Sequence, residues 1–161
     1  MLNISDKNFF LQIVADAVIQ AHLTCRRENK RNRWINAIAK ATAVILEGDT
    51  TFLHWDSEKN SLLFWSPDSN EIYDTGRNCQ CPAFKRDIPL PCYHRAMSRL
   101  VKNYFEFQQK PGEITQIDFA DAVFFDSELS AAEKVKLLNQ SIFEGRIELK
   151  PQVKALRKYI V

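Results

Sequence analysis

Two pairs of metal-ligand side chains lie close together near the middle of the chain: Cys79 and Cys81, then Cys92 and His94. Cysteine thiolate and histidine imidazole are ligands that Zn²⁺ prefers, and four of them complete its tetrahedral coordination. Residues i and i+2 of an extended segment point to the same side, so Cys79 and Cys81 can present both sulfurs to one ion. A helix that starts near Cys92 places the second pair on its first turn. The spacing predicts one zinc ion held by all four side chains.

The alternative is free thiols, or two pairs formed among the four cysteines of the chain, Cys25 included. A disulfide between Cys79 and Cys81 would be strained, and it would leave His94 without a role. Clustered cysteines in a reducing compartment are more often metal ligands. Because four protein ligands close a zinc site, the predicted ion is structural and stabilises residues 76–95. Nearby basic residues would offset the thiolate charge: Arg77, Lys85, Arg86 and Arg95.

Hydrophobic residues recur at helical spacing through residues 1–48. We expect two helices there, the first capped by Ser5 and the second ended by Gly48. Cys25 continues the apolar stripe of the first helix, so we expect it in the core and not on the metal. His22 lies at the edge of that stripe and is expected to be half-buried.

After Gly48 the pattern changes to short segments rich in β-branched and aromatic residues, separated by turn residues. It predicts an antiparallel three-stranded meander over residues 50–55, 61–65 and 71–75. A helix with a core-facing apolar stripe then starts near Cys92.

The C-terminal part, residues 113–161, is predicted to contain helices of unknown role. Ser130 and Glu133 have the spacing of a capping box, and a last helix is expected over 152–160. The 161 residues fit a single α+β domain. Its predicted parts are helical residues 1–48, a zinc region at 50–108 and the C-terminal helices.

The ligand pattern resembles the SWIM-type zinc finger, which has Cys-x-Cys, a variable gap and Cys-x-His. All four ligand positions match, and the resemblance covers residues 60–106. It implies a β-rich entry, a zinc-bound ββα-like finger, and Zn²⁺ ligation by Cys79, Cys81, Cys92 and His94.

SWIM-type fingers occur in transposase-like proteins, helicase-related ATPases, ubiquitin-ligase-like proteins and recombination-associated factors, and the family is thought to bind DNA or proteins. The resemblance therefore implies a recognition module and leaves its ligand open.

The net charge is only +2, but it is unevenly distributed. Residues 92–110 carry four cations and one anion, whereas residues 51–91 carry four cations and six anions. One cluster, Arg26, Arg27, Lys30, Arg31 and Arg33, follows the first helix. These cations either complement a helix C-terminus or contact phosphates, and the sequence favours neither. Another cluster, Arg95, Arg99 and Lys102, shares one helix face.

We expect a nucleic-acid-binding recognition or accessory factor, with DNA as the favoured ligand. The candidate contact residues are the two basic clusters together with Arg77, Lys85 and Arg86. Trp55 and Trp65 would stack on bases where they are exposed, although packing in the core is the more common position of such residues.

The alternative is a protein-interaction adaptor, in which the finger is scaffold and helices at 131–144 and 152–160 dock on a partner. An enzyme is not expected. No nucleophile–base pair, phosphate loop or open metal site accompanies the acidic residues Asp118, Asp121, Asp126 and Glu128, and such residues usually cap turns. No signal peptide or membrane span is predicted, so we expect a soluble intracellular protein, cytoplasmic or nuclear.

Overall fold

A computed structural model describes residues 2–66, 70–75, 92–109 and 128–146. Over these ranges four helices accompany one three-stranded antiparallel sheet, which confirms the predicted α+β class. The elements are α1 (Lys7–Thr24), α2 (Glu28–Glu47), β1 (Leu53–Asp56), β2 (Ser61–Ser66), β3 (Glu71–Asp74), α3 (Tyr93–Phe107) and α4 (Ala131–Phe143). None of these four helices combines the length and apolar character that crossing a membrane requires.

Helix α1 lies at the centre of the hydrophobic core. Its side chains are buried on all sides between Phe10 and Ala21, apart from the exposed Gln12. Helices α2, α3 and α4 all pack against it. A helix whose whole circumference is buried needs packing partners on every side. Helix α1 therefore constrains where its three neighbours lie.

At the ends of α1, one prediction is wrong and one is confirmed. The predicted N-cap, Ser5, is wrong by one residue: the Asp6 carboxylate accepts the N–H of Phe9 at 2.9 Å. Ser5 and Asp6 are both good capping residues, so the sequence does not separate them. At the C-terminus Cys25 is buried, as predicted.

Helices α2 and α3 pack side by side and run antiparallel. Lys40 Nζ lies 4.1 Å from the centre of the Tyr93 ring, and the Arg95 guanidinium lies 6.0 Å from the centre of the Trp34 ring. Gly48 ends α2 as predicted, and its N–H donates to the Val44 carbonyl. A Cβ at position 48 would lie 2.7 Å from that oxygen, so the close approach requires glycine.

The sheet has the predicted meander order β1-β2-β3. Leu53 pairs with Phe64, which pairs with Tyr73 on β3. Leu53 and Leu62 are buried in the core, and Trp55 stacks on Phe105 of α3 with 5.1 Å between ring centres. One face of the sheet therefore packs on the helices.

Helix α4 begins with the predicted capping box. Ser130 Oγ accepts the N–H of Glu133, and the Glu133 carboxylate accepts the N–H of Ser130. The Glu47 carboxylate, at the end of α2, accepts the N–H of Ala131. The apolar residues of α4, Val135, Leu138 and Ile142, are buried against the core. The predictions for 113–126 and for a last helix at 152–160 lie outside the described residues.

Replacing Ser130→Ala removes one acceptor from the α4 N-terminus. We expect the free energy of unfolding to fall by about 1 kcal/mol, because an N–H of the first turn loses its partner. Urea unfolding followed by circular dichroism measures this. Ser57→Ala, in the exposed β1–β2 turn, is the matched control and should change stability by less than about 0.5 kcal/mol. Equal effects of the two substitutions would contradict the capping role.

His22 joins α1 to α4 and makes stability depend on pH. Its Nε2 lies 2.7 Å from Asn139 Oδ1. Burial lowers the pKa of His22 below 6.5, an effect opposed by the Asn139 hydrogen bond and reinforced by Arg31. The unfolded chain therefore protonates His22 at a higher pH than the folded chain does. The free energy of unfolding should fall as pH drops below about 6.5.

The measurement is urea unfolding at about pH 7.5 and about pH 5.5. His22→Gln should lose less stability over this interval than the unsubstituted chain does. His54→Gln, at an exposed histidine, should keep the original pH dependence. If both variants keep it, the titration does not arise at His22.

Candidate zinc centre and basic surface

The second predicted ligand pair lies at the start of α3. Cys92 is the N-cap residue, with extended backbone, and its side chain is buried. His94 follows in the first helical turn. The sulfur therefore lies at a helix N-terminus, where backbone amides and the helix dipole favour a thiolate.

Aromatic rings enclose the His94 imidazole. Its centre lies 5.2 Å from that of Phe64 on β2 and 4.1 Å from that of Tyr93. Both ring nitrogens are buried, and neither has a hydrogen-bond partner within the described part of the chain. A buried polar atom left without a partner costs about 1–3 kcal/mol. A metal ion on one nitrogen would remove that cost for this atom, so the environment of His94 suits a zinc ligand.

The first ligand pair, Cys79 and Cys81, lies outside the described residues. The chain leaves towards this pair from Thr75, whose N–H and hydroxyl both donate to the Leu62 carbonyl, at 3.0 and 2.7 Å. Cys79 is four residues further on, so the chain limits its distance from Thr75 to about 14 Å. Because Tyr73 stacks on Phe64, which contacts His94, the strand leading to the first pair packs beside the second.

Within the described ranges, no three His, Cys, Asp or Glu side chains gather closely enough to hold a metal. Cys92 and His94 are the two predicted ligands that these ranges contain. The four-ligand site therefore stays a prediction. It is supported by the geometry of Cys92 and His94, and by the position of Thr75, from which the chain leads to Cys79 and Cys81.

The first basic cluster lies at the corner between α1 and α2, which we call the basic corner: Arg26, Arg27, Lys30, Arg31 and Arg33. Arg26 and Arg27 are exposed in the connection, and the other three belong to the first two turns of α2. Cations at a helix N-terminus oppose the helix dipole, so they do not stabilise α2. None of the five pairs with a carboxylate of the described residues. The Arg31 Nε is buried and has no hydrogen-bond partner there.

The packing of α3 on α2 brings the second basic cluster to this corner. The charges of Lys30, Arg31 and Arg99 all act on Cys25, where they oppose the burial that raises the pKa of the thiol. Lys30 and Arg31 therefore also approach the C-terminus of α1, where a cation is favourable. Arg95 lies over Trp34, and Lys102 is exposed further along α3. Two clusters that are far apart in the sequence thus lie on neighbouring helices, and together we call them the basic surface.

The remaining candidates for nucleic-acid contact are three basic residues and two tryptophans. The basic residues Arg77, Lys85 and Arg86 lie outside the described residues. The same is true of Asp118, Asp121 and Asp126, the acidic residues weighed for an enzyme. Of the two tryptophans predicted to stack on bases, Trp55 is half-buried against Phe105, whereas Trp65 is 41% exposed.

Comparison with models of protein families, with curated proteins and with solved structures finds no match for this chain. The resemblance to SWIM-type fingers therefore rests on the spacing of the ligands, and the function has to follow from the chemistry of the chain's own residues.

Sequence reasoning missed the cation–ring contacts that join α2 to α3, namely Lys40 with Tyr93 and Arg95 with Trp34. The sequence does show the basic face of α3, because Arg95, Arg99 and Lys102 are spaced four and three residues apart. No local pattern shows which helix that face approaches, because the contacts connect distant segments.

Replacing His94→Ala removes one predicted ligand. We expect the full chain, purified without added metal, to hold about one zinc ion, and the variant to retain far less, because three thiolates leave the fourth coordination position open. Elemental mass spectrometry measures the zinc-to-protein ratio. His54→Ala, at an exposed histidine on β1, is the matched control and should keep the metal. Equal zinc content in the two variants would exclude His94 as a ligand.

Proposed function

We propose that the chain is a zinc-stabilised nucleic-acid-binding protein of the SWIM-finger type, with DNA as its favoured ligand. The observation that carries the proposal is the packing of α3 on α2, which places Arg95 of the second cluster 6.0 Å from the ring of Trp34, the residue after Arg33 of the first cluster. A basic surface that is spread over two packed helices suits a polyanion, because phosphates repeat along a nucleic-acid backbone at short intervals.

The unpaired state of the basic corner supports this function. Its five cations have no ion pair within the described residues, although three of them stand at the unfavourable end of α2. Five like charges repel one another, and an anion bound among them would relieve that repulsion. Phosphate oxygens would complement both the side-chain charges and the helix N-terminus.

Zinc would have a structural part in this function. Bound by Cys79, Cys81, Cys92 and His94, it would join the segment after β3 to the N-terminus of α3. The buried, unpartnered nitrogens of His94 support its place in the site. This connection would fix the start of the helix that carries Arg95, Arg99 and Lys102. The metal would therefore hold one half of the basic surface in position against the other.

The adaptor alternative receives less support from α4. Helices at 131–144 and 152–160 were the expected docking elements, but α4 uses its apolar residues Val135, Leu138 and Ile142 to close the core around α1. Phe143 is the large apolar side chain that α4 leaves exposed.

The test combines one exposed cation from each cluster, Arg27→Ala and Lys102→Ala. Affinity for a fluorescein-labelled DNA duplex should fall about tenfold or more in the double variant, because two phosphate contacts are lost. The slope of log affinity against log salt should decrease by about two. Fluorescence anisotropy at several salt concentrations measures both quantities.

The matched control is Lys59→Ala with Lys136→Ala, two exposed cations that belong to neither basic cluster. Its DNA affinity should stay within about twofold of the original. A zinc-loaded chain that binds neither single- nor double-stranded DNA or RNA at low salt would refute the proposed function. Equal losses in the test and control variants would refute the assigned surface.

A further inference from the structure

The three-stranded sheet has an outer face that points away from the helices. On this face the strand register aligns side chains in two rows, and each row crosses all three strands. One row is His54, Leu63 and Asp74. The next is Phe52, Trp65 and Ile72, where Phe52 joins through its carbonyl, which accepts the N–H of Trp65 at 2.9 Å. We call these two rows the outer sheet face.

The apolar row of the outer sheet face is exposed and held in place. Trp65 is 41% and Ile72 68% exposed, although both are large apolar side chains. The rings of Phe52 and Trp65 pack with 5.3 Å between their centres, and Trp65 Nε1 donates to Asn70 Oδ1 at 3.2 Å. Contiguous exposed apolar side chains on a rigid element are typical of an interaction site, because their orientation costs little entropy on binding.

The charges around this row are acidic. Residues 49–66 and 70–75 carry five carboxylates, Asp49, Asp56, Glu58, Glu71 and Asp74, and one lysine, Lys59. Asp74 stands in the row beside Leu63, and Asp56 continues the outer face of β1. Electrostatic complementarity therefore disfavours a polyanion on this face and favours a cationic partner. The outer sheet face and the basic surface differ in sign and lie on different elements.

We propose that the outer sheet face binds a basic segment of a partner protein, one that combines lysine or arginine with aliphatic or aromatic anchors. The anchors would pack on the row of Phe52, Trp65 and Ile72, and the cations would lie near Asp56 and Asp74. This surface leaves the basic surface accessible, so nucleic acid and the partner protein can bind at the same time. The proposal holds whether or not the chain binds nucleic acid.

The probe is a fluorescein-labelled ten-residue peptide in which lysine alternates with leucine, compared with the peptide that has glutamate in place of every lysine. Binding to the full chain is followed by fluorescence anisotropy. The lysine peptide should bind at least about tenfold more tightly than the glutamate peptide. Ile72→Lys should lower the affinity for the lysine peptide by about tenfold or more. The substitution removes an apolar contact for the peptide's anchors and adds a charge of the same sign as its lysines.

The matched control is Phe143→Lys, which replaces an equally exposed apolar residue, 70% accessible, on α4. Its affinity for the lysine peptide should stay within about twofold. Three results would overturn the proposal: no binding by the full chain, equal binding of the two peptides, or unchanged affinity in Ile72→Lys. Ile72→Ala should weaken binding of the lysine peptide and leave DNA affinity unchanged. A variant that instead loses DNA affinity and keeps the peptide would assign the face to nucleic acid.

Discussion

The burial of α1 on all sides is the constraint on which the rest of the structure depends. From Phe10 to Ala21 almost every side chain is removed from water, so three further helices have to cover this one. The short connection to α2 leaves that helix little freedom in how it does so, since α2 begins four residues after α1 ends. The course of α2 back along α1 then determines which of its residues α3 meets.

Both candidate functional regions follow from that arrangement. Because α3 runs antiparallel to α2, its N-terminus lies beside Lys40 and its middle approaches the start of α2. The N-terminus carries Cys92 and His94, and it packs against β2, the strand that also anchors Thr75. The same helix therefore joins the predicted zinc ligands at one end to the basic corner further along. A structural metal at its start would stabilise both.

Much of the fold could be predicted from local patterns, because those patterns report on single elements. The periods of α1, α2 and α3, the meander and the capping box at Ser130 are all visible in the sequence and present in the structure. The approach of Arg95 to Trp34 and the enclosure of His94 by Phe64 are contacts between distant segments, which no local period reports. The alternation of strand residues showed which side chains share a face, but not which face the helices would cover.

The two proposed surfaces lie on different elements and differ in charge. The basic surface on α2 and α3 suits a polyanion, and the apolar, acidic outer sheet face suits a cationic protein segment. The predicted zinc site would join the segment after β3 to the N-terminus of α3. The sheet and the basic helix would therefore share one metal anchor.

That shared anchor is tested most directly by X-ray absorption spectroscopy at the zinc edge, on the full chain purified without added metal. The account predicts about three sulfur ligands near 2.3 Å and one nitrogen ligand near about 2.0–2.1 Å. A coordination shell of oxygen and nitrogen without sulfur, or a chain that contains no zinc, would contradict it.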